Sequence, residues 1–188
     1  MAGNRGVRIA GGTARGMPLV EPRGARLRPT SGLVREAIFN ILGERVVDAR
    51  VLDLYAGTGA LGIEALSRGA SHATFIEGEA ACVDAILQSL SRAGFGDLAT
   101  VLRGRLPAAL ARIEAAAFDL VMLDPPYNDE GAEETLMAVP RVLADGGLVV
   151  YEHRSRYNPP ERPGGLGMTE RRVYGDSAVA LYARTEGA

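Results

Sequence analysis

Short apolar runs alternate along the chain with segments in which apolar residues recur at helical spacing. From residue 50 onward, the runs predict strands at 51–55, 73–76, 100–102, 119–123 and 147–151. The segments between them predict helices at 61–67, 79–92, around 107–114 and at 133–143. Near-continuous apolar strands that alternate with helices are typical of a parallel sheet covered on both faces, so we expect a doubly wound α/β fold.

The two ends of the chain have different patterns. Apolar residues around a glycine turn predict a hairpin over residues 7–24. Thr30-Ser31 predicts the cap of a helix whose apolar positions Val34, Ile38 and Ile41-Leu42 recur at helical spacing. We therefore divide the chain into an N-terminal extension, 1–30, and a main domain, 31–188. Residues 154–167 predict a mobile loop, and 170–174 with 178–184 predict an antiparallel hairpin that completes a mostly parallel, seven-stranded sheet.

Composition adds limits on where the protein works. Hydrophobic residues make up 47% of the chain, which is ample for a core, and the single cysteine, Cys82, excludes an internal disulfide. The sequence has no apolar run of the roughly 18 residues that span a bilayer, and its first residues lack the apolar block of a signal peptide. We expect a monomeric, cytoplasmic protein that has no membrane segment.

Charge is unevenly distributed, although the net charge is only -2. Residues 1–35 contain seven arginines against one acid, Glu21, and every basic residue of the chain is arginine. Segregated positive charge of this kind favours contact with phosphate groups. The N-terminal region is therefore a candidate nucleic-acid surface.

A glycine-rich turn follows the first predicted strand of the main domain. Gly57, Gly59 and Gly62 form a G-x-G-x-x-G pattern that opens a helix, and Glu77 ends the next strand. Such a turn lets the backbone approach a ligand, and a carboxylate at that distance can accept from ribose hydroxyls. The turn predicts a nucleoside-containing cofactor. A dinucleotide and S-adenosylmethionine both suit it; in the second case Asp53 and Tyr55–Gly57 would line the methionine end.

The sequence Asp124-Pro125-Pro126-Tyr127 follows the fourth strand, which in a parallel sheet should lie beside the first. Asp124 and the carbonyl of Pro125 can accept the two N–H groups of an exocyclic base amine, and Tyr127 offers a ring for stacking. The prolines stiffen the turn and have no competing N–H. The motif therefore indicates methyl transfer to a base amine from S-adenosylmethionine.

The chain resembles the RsmD-like family of bacterial 16S ribosomal RNA guanine-N2 methyltransferases. Matching segments extend from 11–16 through 28–30, 34–40, 55–62 and 124–127 to 173–176. The resemblance implies that the base is held by Asp124, Pro125, Pro126 and Tyr127, without a metal. It implies cofactor contacts by Asp53, Tyr55, Ala56, Gly57, Thr58, Gly59, Glu77, Gly104 and Arg105. It also implies RNA contacts by Arg15, Arg28, Thr30 and Arg35, and as a partner ribosomal RNA within an assembling small subunit.

The chain departs from the family pattern at three places. Arg105 replaces the usual acid that accepts from the adenine amine of the cofactor, Ser89 replaces a common Asn, and Gly32-Leu33 replaces a usual Asp-Arg pair. The first change predicts weaker cofactor binding, by about 1 kcal/mol.

Three other functions fit parts of the sequence. One is methyl transfer to DNA or transfer RNA, including adenine N6, since the Asp124–Tyr127 motif is shared with such enzymes. Another is a dinucleotide-dependent oxidoreductase, which leaves this motif without a role. The third is a non-catalytic RNA-binding assembly factor.

Overall fold

The computed structural model describes residues 6–24 and 31–185, and seven strands in these ranges form one sheet. The strand order is β3-β2-β1-β4-β5-β7-β6. The strands are β1 Arg50–Leu54, β2 His72–Glu77, β3 Ala99–Arg103, β4 Phe118–Leu123, β5 Leu143–Arg154, β6 Leu166–Tyr174 and β7 Ser177–Arg184. The predicted seven-stranded, mostly parallel sheet is confirmed.

Strands β1 to β5 run parallel, and β7 pairs antiparallel with both β5 and β6. Strand β4 lies beside β1 with Leu54 opposite Leu123, as predicted. The chain reverses its direction of winding between these two strands, and ligands of open α/β sheets bind at such a point, beyond the carboxyl ends of the strands. The topology therefore brings the glycine turn and Asp124 to one edge.

Helices cover both faces of the sheet. Helices α1 Gly32–Leu42, α2 Ala60–Ser67 and α3 Ala80–Ala93 pack on one face, whereas α4 Ala132–Ala138 and a 3₁₀ turn at Ala108–Arg112 pack on the other. Ser31 caps α1 by accepting from the Val34 N–H at 3.1 Å. None of the helices in the described ranges is both long enough and apolar enough to cross a bilayer.

The N-terminal segment folds back on itself and docks on α2 and α3. Its strands make a single bridge, between Arg8 and Pro18, rather than a long ladder. The loop of this hairpin is tied to Ser67, whose hydroxyl donates to the Gly11 carbonyl at 2.6 Å and accepts from the Ala14 N–H at 2.9 Å. The hairpin is thus short and attached to the main domain. Its division from that domain at residue 30 stays a prediction.

The prediction of a helix at 133–143 is wrong at the C-terminal end. Helix α4 ends at Ala138, continues as a 3₁₀ turn at Val139–Arg141, and β5 already begins at Leu143. Pro140 lacks the N–H that an α-helix needs there. The pairing of β5 with β4 then shifts register between Phe118 and Leu120 of β4.

Residues between β5 and β6 are connected by hydrogen bonds to their surroundings. The Arg171 guanidinium donates to the Ser155 carbonyl at 2.6 Å, and the Tyr182 hydroxyl donates to the Pro160 carbonyl at 3.0 Å. The predicted loop is therefore bound to the closing hairpin.

Candidate functional site

A cavity of about 550 Å³ opens at the carboxyl edge of the sheet, which is large enough for a nucleoside-sized ligand. It extends from the ends of β1 and β2 across to the ends of β4 and β5. All of the residues predicted for the cofactor and the base line it, apart from Gly59. The sequence thus identified two groups of residues that the fold brings to one cavity.

The glycine turn has a geometry that other residues would not tolerate. Gly59 adopts a φ of +75°, and a Cβ there would lie 3.1 Å from the side chain of Ile86. At Gly62, a Cβ would lie 2.2 Å from the ring of Phe75. Gly59 therefore shapes the turn, and Gly62 allows close packing of α2 on β2, without either lining the cavity.

Glu77, at the end of β2, stabilises the glycine turn by hydrogen bonds. One carboxylate oxygen accepts from the Gly57 N–H at 2.7 Å, and the other accepts from the Glu79 N–H at 2.8 Å. Each oxygen retains acceptor capacity for a second donor. Glu77 also lines the cavity, so its carboxylate is suitably placed to accept from ribose hydroxyls.

Asp53 and Tyr55 lie between the two halves of the cavity. Asp53 is 1% exposed and accepts from the Gly62 N–H at 2.9 Å; burial raises the pKa of Asp53 well above its ordinary value. Tyr55 has a φ of +60°, which is unusual for a residue other than glycine. Its hydroxyl bonds to the Thr135 hydroxyl at 2.8 Å, and burial raises the pKa of Tyr55.

The turn after β4 is held by contacts on several sides. The Pro126 carbonyl accepts from the Asp129 N–H at 2.9 Å. The Tyr127 hydroxyl bonds to the Ser177 hydroxyl at 2.9 Å, and the Arg154 guanidinium lies 4.6 Å from the centre of the Tyr127 ring. Because Arg154 covers one face of the ring, a stacked base requires the opposite face.

Several residues of the cavity wall were not predicted. They include Ser31 at the start of α1, Asp129 after the β4 turn, Glu152 near the end of β5, and Ser177 at the start of β7. The sequence could have identified Glu152 as a site residue, because it is a carboxylate near the end of a predicted strand, as Asp53 and Asp124 are. Ser31 and Ser177 have no such signal, because only the fold places them here.

The predicted RNA contacts have different outcomes. Arg15 is exposed beside a shallow depression that Arg92 also lines. Arg28 and Thr30 lie outside the described residues. The prediction for Arg35 is wrong, because its side chain is buried, pairs with Glu64 at 3.5 Å and donates to the Arg8 carbonyl at 2.5 Å. Helical spacing placed Arg35 next to core positions, which favours this internal role.

Arg105 lines the cavity at the position where the family resemblance leads us to expect an acid. Its backbone carbonyl accepts from the Ala109 N–H at 2.9 Å, and the preceding Gly104 N–H donates to the Glu77 carbonyl at 2.9 Å. The backbone of this segment is thus fixed to β2 and to the 3₁₀ turn.

Comparison with known proteins agrees with this geometry. Escherichia coli (strain K12) ribosomal RNA small subunit methyltransferase D is 37% identical over 97% of this chain and 92% of that protein. The solved structure of E. coli yhhF is 37% identical with a TM-score of 0.83, over 95% of this chain and 97% of that chain. An RNA methyltransferase from Salinibacter ruber, solved in complex with S-adenosyl-L-homocysteine, shares the fold at 18% identity and a TM-score of 0.66, over 86% of this chain and 96% of that chain.

The fold and the cavity define an S-adenosylmethionine-dependent methyltransferase of class I, with a Rossmann-like sheet. The family model described as Conserved hypothetical protein 95 matches residues 7–183. The chain belongs to this family, and the resemblance inferred from the sequence is confirmed. A dinucleotide-dependent oxidoreductase is thereby excluded.

Proposed function

We propose that the protein methylates the N2 amine of a guanine in the 16S ribosomal RNA of the small subunit. The observation that carries the proposal is the single cavity in which the glycine turn after β1 meets Asp124–Tyr127. Relatives named ribosomal RNA small subunit methyltransferase D, 37% identical, supply the class of substrate.

The cofactor is assigned to the half of the cavity beyond β1 and β2. Asp53 and the backbone of Tyr55, Ala56, Gly57 and Thr58 would hold its methionine end, and Glu77 would accept from the ribose hydroxyls. Gly104 and Arg105 would lie beside the adenine. When bound, S-adenosylmethionine supplies a methyl group on a positively charged sulfur.

The target amine is assigned to the half beyond β4. The Asp124 carboxylate accepts one N–H of the amine and the Pro125 carbonyl accepts the other, which draws the nitrogen lone pair out of conjugation with the ring. The nitrogen would then take the methyl group as its bond to the sulfur breaks, and the proton that the amine loses would pass to Asp124 and on to water. Positioning and electrostatics supply most of the catalysis, so no strong base is needed.

The RNA is assigned to the arginine-bearing hairpin. Arg8, Arg15 and Arg23 are exposed there, and Arg92 on α3 extends the positive surface beside Arg15. A base must leave its stack to reach the cavity, and contacts with flanking phosphates would position the strand while this happens. We further propose that the enzyme acts in the cytoplasm as a monomer, on an assembling small subunit.

Transfer of tritium from methyl-labelled S-adenosylmethionine tests the proposal. We expect label in 16S RNA presented either naked or in small subunits from cells that lack the modification. We expect none in transfer RNA or duplex DNA, and mass spectrometry of the nucleosides should identify N2-methylguanosine. Label in DNA or transfer RNA instead would favour the alternative substrates. Binding of RNA without any label would favour an assembly factor.

Asp124→Ala provides the test of the site. It should abolish transfer while cofactor affinity, measured by calorimetry, stays within about twofold, because Asp124 is assigned to the base and not to the cofactor. Asp97→Ala, at an exposed carboxylate in a 3₁₀ turn, is the matched control and should retain full activity. Activity in Asp124→Ala equal to that of this control would overturn the assignment.

A further inference from the structure

Glu152 is a second carboxylate in the half of the cavity assigned to the base. It lies near the end of β5, is 4% exposed and lines the cavity. Its two neighbours in the strand, Tyr151 and His153, point to the opposite side because side chains alternate along a strand. A carboxylate as buried as that of Glu152 is costly to place in a strand, so a role in the site is a better explanation than a role in packing.

The register of the sheet places Glu152 beside Asp124. In the parallel pair of β4 and β5, Leu123 is opposite Tyr151, so the next residues, Asp124 and Glu152, are neighbours on one face. Adjacent strands are about 4.8 Å apart, so side chains at neighbouring positions on one face can converge on the same base. The two carboxylates can therefore reach adjacent groups of one base.

The pairing edges of the bases differ in the hydrogen-bond donors and acceptors that they present to a pair of carboxylates. Guanine presents its N1–H next to the N2 amine, so donors stand side by side. Adenine and cytosine present an amine next to a ring nitrogen that has a lone pair and no hydrogen. A carboxylate beside Asp124 attracts the N1–H of guanine. It repels the ring-nitrogen lone pair of adenine or cytosine.

We infer that Glu152 selects guanine by accepting its N1–H while Asp124 holds the N2 amine. This inference rests on the proposed function, since it names the group that recognises the substrate of the same site. Flipped bases are read by hydrogen bonds to this edge, and a site built around a hydrogen bond strongly rejects an analogue that lacks it. Glu152 is thus a specificity-determining residue, and the transfer step itself remains the work of Asp124 and Pro125.

The test replaces the target guanine by 2-aminopurine, which keeps the 2-amino group but has an unprotonated N1. The methylated position is mapped first, and 16S RNA is then joined from two fragments with either base at that position and assembled into subunits if the assay requires it. For the wild type, we expect kcat/KM to be on the order of 100-fold lower with 2-aminopurine. Glu152→Gln should reduce this ratio about 10-fold or more, because its amide can donate to the bare N1.

The comparison of ratios removes effects that do not involve Glu152. The two bases also differ at position 6, but this difference affects wild type and variant alike and cancels. Glu134→Gln on α4, at an exposed carboxylate, is the matched control and should keep the wild-type ratio. Cofactor affinity measured by calorimetry confirms that the variants are folded.

Each outcome bears on a different conclusion. Failure of the wild type to methylate the guanine RNA would overturn the proposed function. Equal use of the two bases by the wild type would overturn the role of Glu152 alone, even without a folded variant. An unchanged ratio in Glu152→Gln would do the same, as would loss of activity on both RNAs by a variant that still binds cofactor.

Discussion

Neutralising the Glu64 carboxylate should strongly destabilise the fold. It is 0% exposed, and its two oxygens accept from the Ala10 N–H at 2.7 Å and the Gly11 N–H at 2.8 Å. The same carboxylate accepts from Arg68 at 2.8 Å and pairs with the buried Arg35 at 3.5 Å. One side chain thus joins the N-terminal hairpin, α1 and α2.

The magnitude follows from what Glu64→Gln leaves behind. The amide keeps one acceptor but turns an NH₂ group toward a donor, and Arg35 stays buried without its salt-bridge partner. Burial already lowers the pKa of the Arg35 guanidinium, against the opposing effect of Glu64. Breaking a buried pair on one side costs about 3–5 kcal/mol in the free energy of unfolding. We expect a loss of that size in urea denaturation followed by circular dichroism.

Two comparisons make this prediction specific. Asp119→Asn breaks the pair with Arg50, whose side chains are 42% and 49% exposed, and should cost no more than about 1 kcal/mol. Combining Glu64→Gln with Arg35→Met removes both buried charges and should recover a large part of the loss. A cost for Glu64→Gln no greater than that for Asp119→Asn would refute the reasoning.

Three further predictions concern residues around the cavity. Arg105→Asp should restore the acceptor typical of the family and tighten S-adenosylmethionine binding about fivefold, the equivalent of about 1 kcal/mol, in calorimetry; unchanged affinity would remove the argument. Gly62→Ala should lower the free energy of unfolding by about 1–3 kcal/mol in urea denaturation because its Cβ would overlap the Phe75 ring, whereas Gly96→Ala, with open space around it, should stay close to wild type. Burial raises the pKa of Asp53, and a carboxyl group of this kind contributes stability that is lost as pH rises through its folded-state pKa. The free energy of unfolding of Asp53→Asn should therefore lack the decline that the wild type shows above about pH 4; equal declines in both would contradict it.

The positions of the strands around the site could be predicted because they follow from local patterns. Apolar runs located the strands, and their carboxyl ends carry Asp53, Glu77 and Asp124 at one edge of a parallel sheet. The end of α4 was missed because Val142, Leu143 and Ala144 form an apolar run too short to distinguish helix from strand.

The contacts between distant segments could not be predicted in the same way. The family resemblance implied that Arg35 contacts RNA, whereas its partner Glu64 lies on another helix and only the fold brings them together. Ser177 joins the base half of the cavity for the same reason, since it reaches Tyr127 through the closing hairpin. Pairing across such distances is decided by tertiary packing and leaves no periodic signal.

The two hydrogen bonds that the Glu77 carboxylate accepts from Gly57 and Glu79 affect the thermodynamics of ligand association. Since two backbone donors are already bound by that carboxylate, the wall of the pocket retains little conformational entropy for a ligand to remove. Binding of S-adenosylmethionine should then show a heat-capacity change that matches the area it covers, without an added contribution from loop ordering.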